Sequence, residues 1–320
     1  EATGVTHDKL HPKISMTTKL IWTVYTLMTG ACVGLLCLGG MNLFDGVCHA
    51  FSILGTGGYS TRQASIAWWN SPFIEYVTAT FMIIASLNVT LLALCMQGRI
   101  GRLFKDGETR WFLGSALVIT LLIMTGLYFK LDYPIEQAFR RAYFHVATIH
   151  SSCGLISEDY TFWPKYTWIL LIYTMLAGGC TGSTAGGIKS MRIVILFHSI
   201  KNQFKRLIHP NAILPVRINN HVVPQPVMNT VATFTIFYLL CSFVGCFLLT
   251  LFDIDFLEAL TTSISALGNT GVGFGCYGPS NTMSGMPEAG KWIMSFLMLM
   301  GRLELFNMLI LFSPVFWKEW

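Results

Sequence analysis

The sequence predicts an all-α membrane protein built from repeated units. Each unit is a spanning helix, a short re-entrant helix with a glycine-rich return, and a second span. Three observations carry that prediction. Charge is scarce: of 320 residues 12% are charged and 53% hydrophobic, with a mean hydropathy of +0.57, against about 25% charged in a soluble domain. Asp, Glu, Lys and Arg are absent from 20–44, 76–98, 111–129, 166–188, 218–252 and 259–287, and a span needs roughly 20 apolar residues. Finally, a glycine-rich segment recurs three times between these runs. This composition excludes a disordered chain, a soluble enzyme domain and a nucleic-acid partner, and the net charge of +5 matters less than where the charges fall.

Taken in order, the spans lie near 20–40, 72–97, 111–129, 163–200, 227–252 and 290–312. Pro224 and Pro226 set the start of the fifth near Val227, because proline is tolerated only at a helix start. The run 259–287 contains Gly268, Gly271, Gly273, Gly275, Gly278 and Gly285 and is too glycine-rich for one continuous helix. With the N-terminus in the cytoplasm, the inner segments hold Lys9, Lys13, Lys19, Arg99, Arg102, Lys105, Arg110, Lys189, Arg192, Lys201, Lys205, Arg206, Arg217 and Lys318. The outer segments hold only Arg62, Lys130, Arg140, Arg141, Lys165 and Lys291, as the positive-inside rule requires. Asp45, Glu75, Asp132, Glu136, Glu158, Asp159, Asp253, Asp255, Glu258 and Glu288 fall on or near the outer side. They form either a cation-concentrating vestibule or ordinary solvated loops. The nine cysteines show no metal-ligand spacing and read as small packing residues. The chain opens on Glu1 without Met or a signal peptide and reads as starting within a longer protein.

The recurring segment is FDGVCHAFSILGTGGYST at 44–61 and LEALTTSISALGNTGVGFG at 257–275. An offset of 213 aligns the two without gaps, setting Ser52 on Ser265, Gly55 on Gly268 and Gly58 on Gly271. A third copy, IEQAFRRAYFHVATIHSSCGLISEDY at 135–160, aligns at an offset of 96 around Gly154, with Ser152 and Cys153 in place of Thr56 and Gly57. The units therefore run 20–98, 111–206 and 226–320, joined by cytoplasmic segments 99–110 and 207–225 and preceded by 1–19. A short helix over 256–267 would be about 18 Å long, half of a hydrocarbon core of roughly 30 Å. A non-helical return survives at that depth only where protein buries it or where it lines a water-filled path. Glycines let carbonyls approach a central axis, and rings of carbonyls replace the hydration shell of an alkali cation. The candidate ion-binding residues are Thr56, Gly57, Gly58, Ser152, Cys153, Gly154, Asn269, Thr270 and Gly271. The alternative is an outer loop with a glycine turn, and three copies in matched positions favour the pore. Four such loops would surround one axis, so a further N-terminal repeat is expected before this chain.

A second feature is AGGCTGSTAGGIKS, 177–190, which should break the fourth span. It fails as a phosphate loop because Ile188 separates Gly187 from Lys189. It fails as a hydrolase elbow because Thr184 stands where serine is needed. It remains either a gate beneath the filter, with Gly178, Gly179, Gly182, Gly186, Gly187 and Lys189, or a helix-packing glycine patch. Arg302 follows Lys291 by 11 residues, about 16 Å along a helix and so near mid-membrane, where a cation faces a cavity or a partner. Carbonyls of 177–188 or an acid on another helix are the candidate partners. Glu304 is a poor one within the same helix. His49, His145 and His150 read as packed or hydrogen-bonded residues rather than ligands. The sequon at Asn88 lies inside a span and is set aside.

At FSILGTGGYST, GGCTGSTAGGIKSMR, SALGNTGVGFG and GRLELFNMLILFSPVFW the chain resembles the Trk-H/Ktr-B superfamily of potassium-uptake proteins, the Trk-H branch above all. The resemblance implies four M1–pore–M2 units around one pseudo-fourfold ion pore, in a homodimer in the bacterial inner membrane. It implies one filter glycine per unit, carried onto Gly58, Gly154 and Gly271, and a gate at Gly178–Gly187 faced by Arg302. It also implies potassium as the transported ion, no enzyme activity, and a cytosolic nucleotide-binding regulatory subunit of the Trk-A kind. The third filter departs from the family's threonine-rich pattern at His150-Ser151-Ser152-Cys153, which leaves a sodium-permeable transporter as an alternative. An intramembrane hydrolase is the alternative from another class.

Overall fold

The first charge-free run folds as one helix, α1 (Ile14–Leu38), followed by the short α2 (Leu43–Leu54), whose first turn is capped by the Asn42 side chain accepting the Asp45 N–H. α3 (Pro72–Ala85) begins on a proline, and α4 (Val89–Met96) and α5 (Ile100–Lys105) follow. The order then repeats with α6 (Gly107–Leu131), α7 (Ile135–His150), α8 (Lys165–Ala177) and α9 (Ser190–Ile208). An antiparallel hairpin pairs β1 (Arg217–Ile218) with β2 (His221–Val222). The last set is α10 (Gln225–Thr250), α11 (Phe256–Gly268), α12 (Glu288–Arg302) and α13 (Leu305–Ile310). This computed structural model describes residues 14–212, 214–219, 221–314 and 316–317. Lys9, Lys13 and Lys318 of the inner basic set, with most of the segment 1–19, lie outside the described residues.

Among the described residues, α6, α10 and residues 18–38 of α1 are long and apolar enough to cross a membrane, and α3 with α4 qualifies as one bent span. Each short helix is wedged between the helices that flank it. α2 packs on α1 and α3, α7 on α6 and α8, and α11 on α10 and α12. Two of them also reach back one set, α7 onto α3 and α11 onto α8. The sets are thereby locked side by side around the three glycine-rich returns. Ile53, Met82, Phe112, Phe144 and Leu171 fill the core of the first two sets, and Tyr238, Leu267 and Leu297 that of the third.

Two expected spans are interrupted. The span over 72–97 bends by 107° between α3 and α4. Asn88 restarts the helix by accepting the N–H groups of Thr90 and Leu91. The backbone groups freed by the break are satisfied from elsewhere: Ser86 O accepts the Cys180 N–H (2.9 Å) and the Val89 N–H donates to Gly182 O (3.3 Å). The span over 290–312 likewise stops at Arg302, and Glu304 takes a left-handed φ of 60° before α13. Hydropathy could not reveal either break, because the partners that make each tolerable come from other helices.

The outer acidic residues are largely structural. Glu75, 1% exposed, lies 2.8 Å from Arg140 and 3.2 Å from Arg141, so α3 is clamped to α7. Arg140 also meets Glu136, Arg141 meets Glu158, and Arg62 meets Asp45. Asp159 and Asp255 cap Thr161 and Leu257. Burial and a hydrogen bond to Glu158 push the Tyr133 hydroxyl up to about 12, so it remains a donor at neutral pH. These three arginines pair with four of the ten outer acids. Removing one partner of a buried pair strands the other, so Glu75→Gln is expected to destabilise the fold by about 3–5 kcal/mol. Glu136→Gln, whose carboxylate is 58% exposed, should cost at most ~1 kcal/mol. Thermal unfolding of the purified variants in detergent checks the ranking.

Candidate functional site

Each short helix ends in the same turn. Thr56, Ser152 and Asn269 hold φ of 50°, 55° and 55°, and two residues later Gly58, Gly154 and Gly271 hold 71°, 83° and 84°. Between them, the N–H of Gly57, Cys153 and Thr270 reaches back five residues to Ser52 O (2.7 Å), Thr148 O (2.9 Å) and Ser265 O (2.9 Å), the six-to-one closure of a Schellman turn. The offsets that align the three sequences thus also align their backbones. Thr56, Ser152 and Asn269 thus share, at matched positions, a left-handed backbone that costs a non-glycine residue about 1–3 kcal/mol.

The turns also interlock. A Cβ on Gly58 would collide with the Cys153 carbonyl, and one on Gly154 with the Thr270 carbonyl, whereas around Gly271 nothing lies within 4 Å. All nine predicted filter residues thereby lie in three mutually packed or successive turns. The buried Tyr160 ties the second return to the third by donating to Gly273 O (2.8 Å). His49 bonds Asp45 O and Ser60, and His145 bonds Arg141 O and Glu158 O. His150 is buried against Phe112, with ring centroids 4.4 Å apart, and its ring nitrogens have no protein partner. Among the described residues no cluster of His, Cys, Asp or Glu could hold a metal ion.

Below the turns lies the segment between α8 and α9. Its glycines are needed for shape: Gly178, Gly182 and Gly187 hold φ of 64°, 75° and 82°, and Lys189, without that freedom, holds 79°. The segment closes on itself through Ile188 N–H to Leu176 O and Ser190 N–H to Gly179 O, both 3.0 Å. Gly186 sits against the Gly268 carbonyl at the end of α11, and Gly179 against the Ser86 carbonyl at the α3–α4 break. The Lys189 ammonium folds back to donate to Ala185 O.

Thr184 is where the parts meet. Its carbonyl accepts the Thr56 hydroxyl (3.0 Å) and the Arg302 guanidinium (3.1 Å). Its own hydroxyl bonds Leu54 O (3.2 Å) at the end of α2. One loop carbonyl thus joins the first of the three turns to the last residue of α12. Arg302 stands at a helix C-terminus, where its charge complements the dipole. A cavity of about 320 Å³, lined among others by Ser183, Thr184, Lys189, Tyr238, Asn269 and Arg302, opens beside the loop. Asn269 also belongs to the third turn, so that turn and the cavity adjoin. Arg192, counted in the sequence only as an inner basic residue, lies over the Phe234 ring (3.7 Å) and 3.7 Å from Glu304. The carbonyls of 177–188 were candidate partners for Arg302 in the sequence, and Thr184 supplies the one that meets it; that Thr56 shares this carbonyl is not marked in a string of residues.

The comparisons with known proteins show the family and the fold. The profile of the TrkH family, described as a cation transport protein, matches residues 2–318. The Trk system potassium uptake protein TrkH of Salmonella typhimurium is 33% identical over 314 residues, 98% of this chain and 65% of that protein. The related TrkG protein of Escherichia coli is 33% identical over 313 residues, covering 98% of this chain and 64% of its own. The crystal structure of the potassium transporter TrkH from Vibrio parahaemolyticus superposes with a TM-score of 0.89 at 31% identity, over 97% of this chain and 66% of that one. The chain thus spans slightly less than two thirds of the length of these relatives, and within that span it belongs to the TrkH family of cation transport proteins.

Proposed function

We propose that this chain forms the ion path of a potassium-uptake protein of the bacterial inner membrane. Carbonyls of 56–58, 152–154 and 269–271 would bind the ion, and Gly178–Lys189 with Arg302 would gate it. The observation that carries the reading is the threefold recurrence of one left-handed turn, with Gly58 and Gly154 each pressed on a carbonyl of the next turn. Carbonyls fixed so closely offer a dehydrated cation a ready substitute for its water shell. The short helices end at these turns and turn their negative dipole ends toward the cavity below. The loop and the guanidinium lie under the filter, where a fixed positive charge opposes a cation until it moves. In this reading the units are 20–98, 111–206 and 226–320. The assembly is a homodimer served by a cytosolic nucleotide-binding regulatory subunit of the Trk-A kind, consistent with relatives named for a Trk system. A hydrolase has no support in a family of transport proteins.

Full-length protein in liposomes should carry rubidium or potassium flux. A sodium permeability equal to that of potassium would replace the selective reading with the sodium-permeable one. Gly271→Ser has room for its Cβ but takes a left-handed strain of about 1–3 kcal/mol. It should fold and lose potassium selectivity, while Gly58→Ser and Gly154→Ser, which also meet a carbonyl, should express less. Unchanged flux and selectivity in Gly271→Ser would remove the filter assignment. Arg302→Ala deletes a charged donor worth about 1.5–3 kcal/mol to the closed loop. It should raise flux about 10-fold or more, and slower or equal flux counts against the gate.

A further inference from the structure

One buried carboxylate belongs to none of the roles above. Glu108, 2% exposed, sits in the first turn of α6. Its Oε1 accepts the Thr181 N–H from the loop (2.6 Å) and the Met191 N–H from the first turn of α9 (3.0 Å). It therefore holds both the loop and the helix that the loop leads into. No other side chain among the described residues accepts a backbone N–H from the loop 178–189. The residues just before it in the chain face outward to a second contact. Asp106 caps α6 through the Thr109 N–H (2.7 Å) and accepts the Asn219 amide (2.6 Å), while the Gly107 N–H donates to Asn219 Oδ1 (2.8 Å). Asn219, with a left-handed φ of 49°, is the turn residue that follows β1. Two hydrogen bonds thus join the hairpin tip to the start of α6, and two more, both at Glu108, join α6 to the loop and to α9, all within residues 106–108.

We propose that Glu108 is the positioning residue of the intramembrane loop and that the hairpin 217–222 is its handle on the cytosolic side. This rests on the loop being the gate, as proposed above. A carboxylate between two backbone donors fixes the loop in the position that lets Thr184 meet Thr56 and Arg302. Movement of the hairpin tip transmits through Asn219 to the start of α6 and so to Glu108. A cytosolic partner that grips the hairpin would act on the gate without touching the ion path. The exposed Arg217 gives the hairpin a positive charge that suits an acidic patch on such a partner.

The test uses full-length protein in liposomes for rubidium flux and, on the same samples, hydrogen exchange of the amides of 177–191. Glu108→Ala leaves both N–H groups without an acceptor. It should raise flux roughly 2- to 30-fold, the range that residues along a coupling network produce, and speed exchange within 177–191 while α8 stays protected. Glu108→Gln keeps an acceptor oxygen at the same reach and should stay near the parent in both readouts. Asn219→Ala, at the surface, should shift both in the same direction by less and covers the case in which Glu108→Ala does not fold. Arg302→Ala separates this inference from the one beneath it. If Arg302→Ala raises flux but neither Glu108→Ala nor Asn219→Ala does, the anchor is wrong and the gate stands. If no variant raises flux, the gate reading fails. Exchange at Thr181 and Met191 that matches the parent in Glu108→Ala overturns the anchor in either case.

Discussion

Inside a bilayer an exposed backbone amide has no water to bond, so irregular chain must be satisfied by protein. The segment 178–189 is the longest irregular stretch in the fourth span, and the rest of the structure is arranged around its needs. Ser86 O and the Val89 N–H serve it from the α3–α4 break, Glu108 from α6, and Thr56 and Arg302 through the Thr184 carbonyl. The bend of 107° in the second span is the other half of that exchange. Neither the loop nor the break would be tolerable alone. Together they satisfy each other's backbone at a depth where few alternatives exist.

The same economy explains the three glycine turns. A single glycine turn at mid-membrane would leave its carbonyls facing nothing. Three such turns packed in sequence, Gly58 on Cys153 and Gly154 on Thr270, share a wall of carbonyls. The hydroxyl of Thr56 then connects the first turn downward to the loop. Under the proposed reading, filter and gate are neighbours linked by one oxygen atom, so a change in loop position is felt at the first turn. The outer ion pairs of Glu75 with Arg140 and Arg141 hold α7, and with it the second turn, against the preceding set.

Much of this was legible in the residues, for reasons that can be stated. The offsets of 96 and 213 are visible in the sequence because the repeat is carried by side-chain types that a turn demands, and glycine at a left-handed position has few substitutes. Arg302 stood out because a cation is rare in an apolar span, and five glycines in a span announce a break. The α3–α4 break was hidden: MIIASLNVTLLAL, 82–94, has no glycine or proline, and only Asn88 as a cap hinted at it. Glu108 was hidden as well, since an acid three residues before the expected span at 111 looks like an ordinary boundary charge. The outer acids were readable as a group but not as pairs, because Glu75 and Arg140 are distant in sequence and meet only through packing of α3 on α7.

The central claim is that the loop 178–189 closes the ion path and must move for it to open. The most direct measurement is a spin-label distance between Ser183 in the loop and Asn229 on the exposed side of α10, on a background in which the accessible cysteines are replaced and the buried Cys153 and Cys180 are kept. It would be recorded in liposome-reconstituted protein under resting conditions and in a state of proven potassium flux. The account predicts a second, displaced distance population that grows in proportion to flux. A single distance, identical in conducting and resting protein, would contradict it.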